Sequence, residues 1–211
     1  MTGPLDAARE LLGTADVYVV DQLLRGGLAP GMRVLDAGCG RGRNLEPLLR
    51  AGRFDVHAID ASEAAVAHVR GLFAALAPHL PAENVRCTPI EDARLPEGAF
   101  DAVLCLAVLH FARDAAHLDA MLATLWRSLR PGGLFLARLG TLYGVDGLTT
   151  PLGGDRHCMP DGKEWVLLPI DAVHDRTRRL GGTLEGPLRT TVVHGRRSMT
   201  TWIARRDAPG A

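Results

Sequence analysis

One stretch limits what this chain can fold into: Val34-Leu35-Asp36-Ala37-Gly38-Cys39-Gly40-Arg41-Gly42-Arg43-Asn44. A short apolar run ends in a carboxylate, glycine then recurs at every second position, and a helix-compatible segment follows from Asn44 to Arg50. Strand, tight turn and helix in that order predict the opening unit of a parallel sheet. Glycine accepts positive φ and, lacking Cβ, lets a ligand approach the backbone closely. A helix N-terminus at this point would offer unpaired N–H groups. Asp36 would stand above the carboxyl edge of the sheet. The spacing is G-x-G-x-G; a dinucleotide fingerprint requires G-x-G-x-x-G, and Arg43 occupies its last glycine position.

The segments around this stretch alternate. Leu5–Leu12 and Asp16–Arg25 read as helices, the second capped by Asp16 with Val17, Val20, Leu23 and Leu24 on one face. Strands are predicted at Arg33–Asp36, Val56–Asp60, Val85–Ile90, Phe100–Leu106 and Leu134–Leu139. Pro89 places the third of these near a sheet edge, and the apolar continuity of the fourth marks a strand buried on both faces. Helices are predicted from Ser62 towards Leu76, over Asp114–Arg130 (stopped by Pro131-Gly132-Gly133) and over Pro169–Leu180. Asp161-Gly162 suits a hairpin turn. Thr183–His194 and Met199–Arg205 read as strands whose short connection forces antiparallel pairing. The expectation is an α/β fold: a Rossmann-like, seven-stranded, mainly parallel sheet with a C-terminal antiparallel strand pair and helices on both faces. One domain is expected over residues 1–211: a helical cap (1–29), a ligand-binding core (30–140), a loop and hairpin (141–168), and a last helix with antiparallel strands (169–206).

Composition narrows the partners. Formal net charge is zero, so bulk charge gives no reason to expect nucleic acid. Cys39, Cys87, Cys105 and Cys158 lack C-x-x-C spacing and read as reduced thiols, with no metal site. No apolar run reaches the ~20 residues that span a bilayer, and Met1–Glu10 lacks the pattern of a signal peptide. A cytoplasmic protein without a membrane partner is expected, as monomer or homodimer.

Taken together, these motifs resemble the class I S-adenosylmethionine-dependent methyltransferase family. Leu35 to Gly42 is similar to its first motif, and Asp60 to its second-strand acid. Glu91-Asp92 before Pro96 is similar to its adenine-side motif, Phe100 to Cys105 with Leu109-His110-Phe111 to its fourth-strand motif, and Leu129 to Leu134 to its post-helix turn. The ending Gly42-Arg43-Asn44 also resembles the tellurite-resistance type of small-molecule methyltransferase. The resemblance implies S-adenosylmethionine as cofactor and a small-molecule acceptor. It puts the Gly38, Cys39 and Gly40 backbone against the methionine and ribose, with Asn44 alongside; Tyr18, one turn from Gln22 on the N-terminal helix, could close over the cofactor or serve ordinary helix packing. It gives Asp36 to the methionine amino group and Asp60, followed by Ala61, to the ribose hydroxyls. Glu91 or Asp92 would take the adenine amino group, the Ala93 amide a ring nitrogen, and Leu106 with Ala107 the space beside the sulfonium.

The acceptor side carries weaker signals. His110 is a candidate base or pocket wall, or a histidine that fixes its loop by hydrogen bonding. Arg156 could hold an anionic group, His157 could act as a base and Cys158 could touch a soft acceptor; alternatively all three lie on a solvated loop. Trp165 reads as a lid anchor, and Arg196-Arg197 as a solvated charge pair. Two rival functions remain: a cofactor-binding protein without turnover, and a nicotinamide-dependent oxidoreductase.

Overall fold

The computed structural model describes residues 3–145, 147–208 and 210. Its helices are α1 (Pro4–Leu12), α2 (Val17–Arg25), α3 (Glu46–Ala51), α4 (Glu63–Leu76), α5 (Ala115–Ser128) and α6 (Ile170–Arg179). Its strands are β1 (Arg33–Ala37), β2 (Asp55–Asp60), β3 (Val85–Cys87), β4 (Phe100–Leu106), β5 (Leu129–Gly140), β6 (Thr150–Gly153), β7 (Arg156–Cys158), β8 (Glu164–Val166), β9 (Gly182–Leu184), β10 (Arg189–Val193) and β11 (Arg197–Arg206). They pack as two compact units. One runs to Arg94 and includes Phe100–Val103; the other holds Leu95–Ala99 and Leu104 onward.

In the first unit the strand order is β4-β1-β2-β3, with β1, β2 and β3 parallel. Val34, Leu35, Val56, Ala58, Ile59 and Val85 are buried, so β1 and β2 form the centre of its core. Asp101 anchors the start of β1 by accepting a 2.7 Å bond from the Arg33 amide. Ser62 caps α4 through the Ala65 amide, which leaves Val66, Val69 and Phe73 to pack inward. Asp16 caps α2 through the Tyr18 amide as expected. The buried face of α2 differs from expectation: Val19 and Gln22 are buried, while Val17 is 66% and Leu24 82% exposed. Helix α3 begins at Glu46, two residues after Asn44, and no side chain caps it. Pro89 ends β3 early, and β3 lies at the sheet edge as its proline suggests.

In the second unit the order is β10-β11-β5-β4, with β9 also on β11. Strand β11 pairs antiparallel with β5, β10 and β9. The long segment expected as one strand after Leu180 is thus two, and among the described residues the main sheet has eight strands where seven were expected. Helix α5 stops at Ser128, and extended backbone begins at Leu129 rather than after Pro131-Gly132-Gly133. The predicted hairpin about Asp161-Gly162 exists as β7 and β8, and β6 joins it to make a separate three-stranded antiparallel sheet. Among the described residues no helix is long and apolar enough to cross a membrane.

Candidate functional site

Strand β1 delivers Asp36 into the interior, where it is 2% exposed and its Oδ2 has no hydrogen-bond partner among the described residues. Burial pushes its carboxyl up to about 7; Arg43 pulls the other way, and Asp60 adds a smaller upward push. A buried acceptor without a donor is costly and fits a cationic or N–H-bearing ligand. Asp60, at the end of β2, is half-buried and fastened by both oxygens. Oδ2 accepts from the Gly40 amide and Oδ1 from the Ser62 amide, each at 2.8 Å. Each carboxylate oxygen keeps a second lone pair, which suits a pair of neighbouring hydroxyls.

The glycine turn differs from the expected cradle of free amides. Gly38 and Cys39 both donate to the Ile59 carbonyl, at 2.8 and 3.1 Å, and Gly40 donates to Asp60. The loop is therefore tied to β2 and presents bare Cα surface. Gly38, Gly40 and Gly42 all have positive φ. A Cβ on Gly40 would meet nothing within 4 Å, whereas one on Gly42 would strike Leu72 and Val69 of α4. Gly40 faces open space that a ligand can use, and Gly42 is a packing residue. The Cys39 thiol is pushed up by burial, so it is no nucleophile.

Asn44 is buried, and its Oδ1 accepts from the Asp16 amide at 2.9 Å, joining the glycine turn to the cap of α2. Arg43 reaches the Asp16 carboxylate at 3.5 Å. Tyr18 lies half-buried in the first turn of α2. Beyond β3, Glu91 is half-buried and Asp92 exposed, as is Ala61 beyond β2. The Ala93 amide, expected to meet a ring nitrogen, instead donates to the Ile90 carbonyl at 3.2 Å. Asp36, Gly40 and Asp60 converge; Asn44 and the Ala93 amide are engaged by the protein itself.

In the second unit Leu106 is buried at the end of β4, and Ala107 takes φ 63°, the one positive value among non-glycine residues described. Its amide is held at 2.7 Å by the Arg138 carbonyl. Such strain gathers at functional sites, and no sequence signal announces it. His110 is 1% exposed, and burial first and Arg197 second push its ring down to about 3. Its Nδ1 accepts from the Gly140 amide at 3.4 Å, and its ring lies 4.0 Å from that of Trp165. Its Nδ1 is thus engaged by the backbone of the strand end that follows. His157 is buried in β7 with its Nδ1 3.2 Å from Thr149 Oγ1. Arg156 pairs with Glu164 across the hairpin.

The parallel strands ending in carboxylates define a Rossmann-like nucleoside-binding fold, and comparison with known proteins makes it specific. Residues 34–133 match the family model described as methyltransferase domain. The tRNA U34 carboxymethyltransferase of Idiomarina loihiensis is 30% identical over 152 residues, covering 72% of this chain and 45% of that protein. The ubiquinone biosynthesis O-methyltransferase of Methylocella silvestris is 36% identical over 152 residues, 64% of this chain and 55% of that protein. The chain thus spans about half the length of these curated relatives. The Burkholderia thailandensis 1,6-didemethyltoxoflavin-N1-methyltransferase, solved with bound 1,6-didemethyltoxoflavin and S-adenosylhomocysteine, shares the fold. Its TM-score is 0.66 at 19% identity, covering 99% of this chain and 92% of that one. The family-model match and these methyltransferase relatives support the class I S-adenosylmethionine-dependent methyltransferase family for this chain.

Proposed function

We propose that this chain transfers a methyl group from S-adenosylmethionine to a small-molecule acceptor. The observation that carries the reading is the pair of acids at the ends of β1 and β2. Asp36 presents a buried oxygen with no donor, and Asp60 is aimed by two backbone amides beside the open face of Gly40. A ligand with an ammonium group and a ribose diol satisfies both. When bound, the cofactor supplies a methyl group on positive sulfur, so the protein need not create an electrophile. The chain's own residues bind and orient: Asp36 receives the ammonium, Asp60 the diol, and Gly40 lets the ligand lie against the backbone. Burial pushes the His110 ring down to about 3, which makes it a weak proton acceptor, so an acceptor that reacts without proton removal, or through a base of its own, suits this chain. Zero net charge supports a small acceptor over a tRNA, and thiols without disulfide spacing support a cytoplasmic setting.

Thermal-shift and calorimetric titration with S-adenosylhomocysteine test the reading, followed by a screen for its production across acceptors. Asp60→Ala is expected to weaken binding by about 1–3 kcal/mol through the lost diol contacts. Stabilisation by NADH and indifference to S-adenosylhomocysteine would replace the reading with an oxidoreductase.

A further inference from the structure

A cavity of about 360 Å³ opens in the second unit, lined by Met159, Asp161 and Trp165 of the β7–β8 hairpin and by Arg196 and Arg197 where the chain turns into β11. Its apolar wall is firm. Met159 and Trp165 are 3% and 7% exposed and belong to a core cluster with Leu167 and Met199, against which Ala107 packs. Trp165 also stacks on His110, so the wall is continuous with the loop that follows the strained end of β4.

The charges at this cavity are unbalanced. Arg196 and Arg197 have no side-chain hydrogen bond or ion pair among the described residues. Asp161 is occupied by Lys163, through the backbone amide at 3.2 Å and Nζ at 3.3 Å. The arginine expected to hold an anion, Arg156, is instead neutralised by Glu164. The two free guanidiniums sit on a tight hairpin turn, where Arg196 donates its amide to the Val193 carbonyl at 3.0 Å and Val193 pairs with Arg197. The turn fixes their backbones, and the planar fork of arginine matches the oxygens of a carboxylate or phosphate.

We propose that this cavity binds the acceptor, and that the acceptor is a small molecule with an anionic oxygen group held by Arg196 and Arg197 and a flat apolar body held by Met159 and Trp165. Ligand pockets combine an apolar lining with a few placed polar groups in this way. That the ligand is the acceptor rests on the methyltransferase reading above; that it is anionic does not.

The test is calorimetry on the full chain with aryl carboxylates and aryl phosphates, 2-naphthoate and 1-naphthyl phosphate among them, each paired with its neutral ester. The anions are expected to bind more tightly than their esters. Arg196→Ala/Arg197→Ala is expected to lose roughly ten- to a hundredfold in affinity for the anions and little for the esters, with the S-adenosylhomocysteine shift unchanged. The corresponding double lysine variant should keep part of the preference, since charge remains but the fork does not. Equal binding of every anion and its ester overturns the proposal, as does an anion preference that survives removal of both arginines. Tight, salt-sensitive binding of single-stranded RNA at these arginines would assign them to a phosphate backbone and overturn it too. An intact anion preference in a protein that ignores S-adenosylhomocysteine would strike the methyltransferase reading and the acceptor assignment, leaving the ligand's charge established.

Discussion

Gly40 and Gly42 stand two residues apart with the same left-handed backbone, φ 52° and 78°, and do different work. At either position an L side chain costs about 1–2 kcal/mol in backbone strain. At Gly42 a Cβ would also come within 2.8 Å of Leu72 and 3.2 Å of Val69, so α4 must give way. Gly42→Ala should therefore lose a further ~1–2 kcal/mol by overpacking, visible as a lower denaturation midpoint. Gly40→Ala should cost only the backbone strain, because nothing lies within 4 Å of the new methyl group. Its loss should appear in S-adenosylhomocysteine affinity instead. Equal stability losses with unchanged ligand binding would show that both glycines serve only the turn. The sequence marks all three glycines alike, since the distinction depends on which neighbour each Cβ would meet.

Helix starts were legible where a polar cap marked them. Asp16 and Ser62 cap helices as their types suggest, accepting from the amides of Tyr18 and Ala65, and Asp114, expected inside its helix, caps it through the His117 amide. The apolar run Phe100–Leu106 is a buried strand. Legibility failed where partners decide. Thr150–Gly153 is a strand because β7 pairs with it, and no periodicity in that Gly- and Thr-rich segment says so. Asn44, expected in the ligand cradle, also links two elements, its Oδ1 holding the buried Asp16 amide at the head of α2. Asn44→Ala leaves that amide without its partner and should cost about 1–3 kcal/mol in urea denaturation. The affinity of the folded variant for S-adenosylhomocysteine should stay close to wild type. A variant of normal stability with impaired binding would return Asn44 to the ligand.

At the scale of the whole molecule, two buried groups pull stability in opposite directions with pH. Asp36 is raised from 3.8 to about 7, so between these values the folded chain holds a proton that the unfolded chain releases, and stability falls as pH rises. His110 is lowered from 6.5 to about 3, so in that range the unfolded chain holds the extra proton, and stability falls as pH drops. The windows overlap from 3.8 to 6.5, where the two largely cancel and hide each other. Neither was legible in the sequence, because burial is the main cause of both shifts. Asp36→Asn removes one arm. Without ligand, the variant should match wild type near pH 4 and become more stable than it as pH rises towards 7. The gap should be on the order of a few kcal/mol and level off above that. Denaturation curves at pH 4.5, 6 and 8 measure it, and a constant gap would mean that Asp36 does not titrate in this range. S-adenosylhomocysteine should narrow the gap at pH 8: its ammonium gives the ionised Asp36 a donor, so the ligand should stabilise wild type by more than it stabilises the asparagine variant.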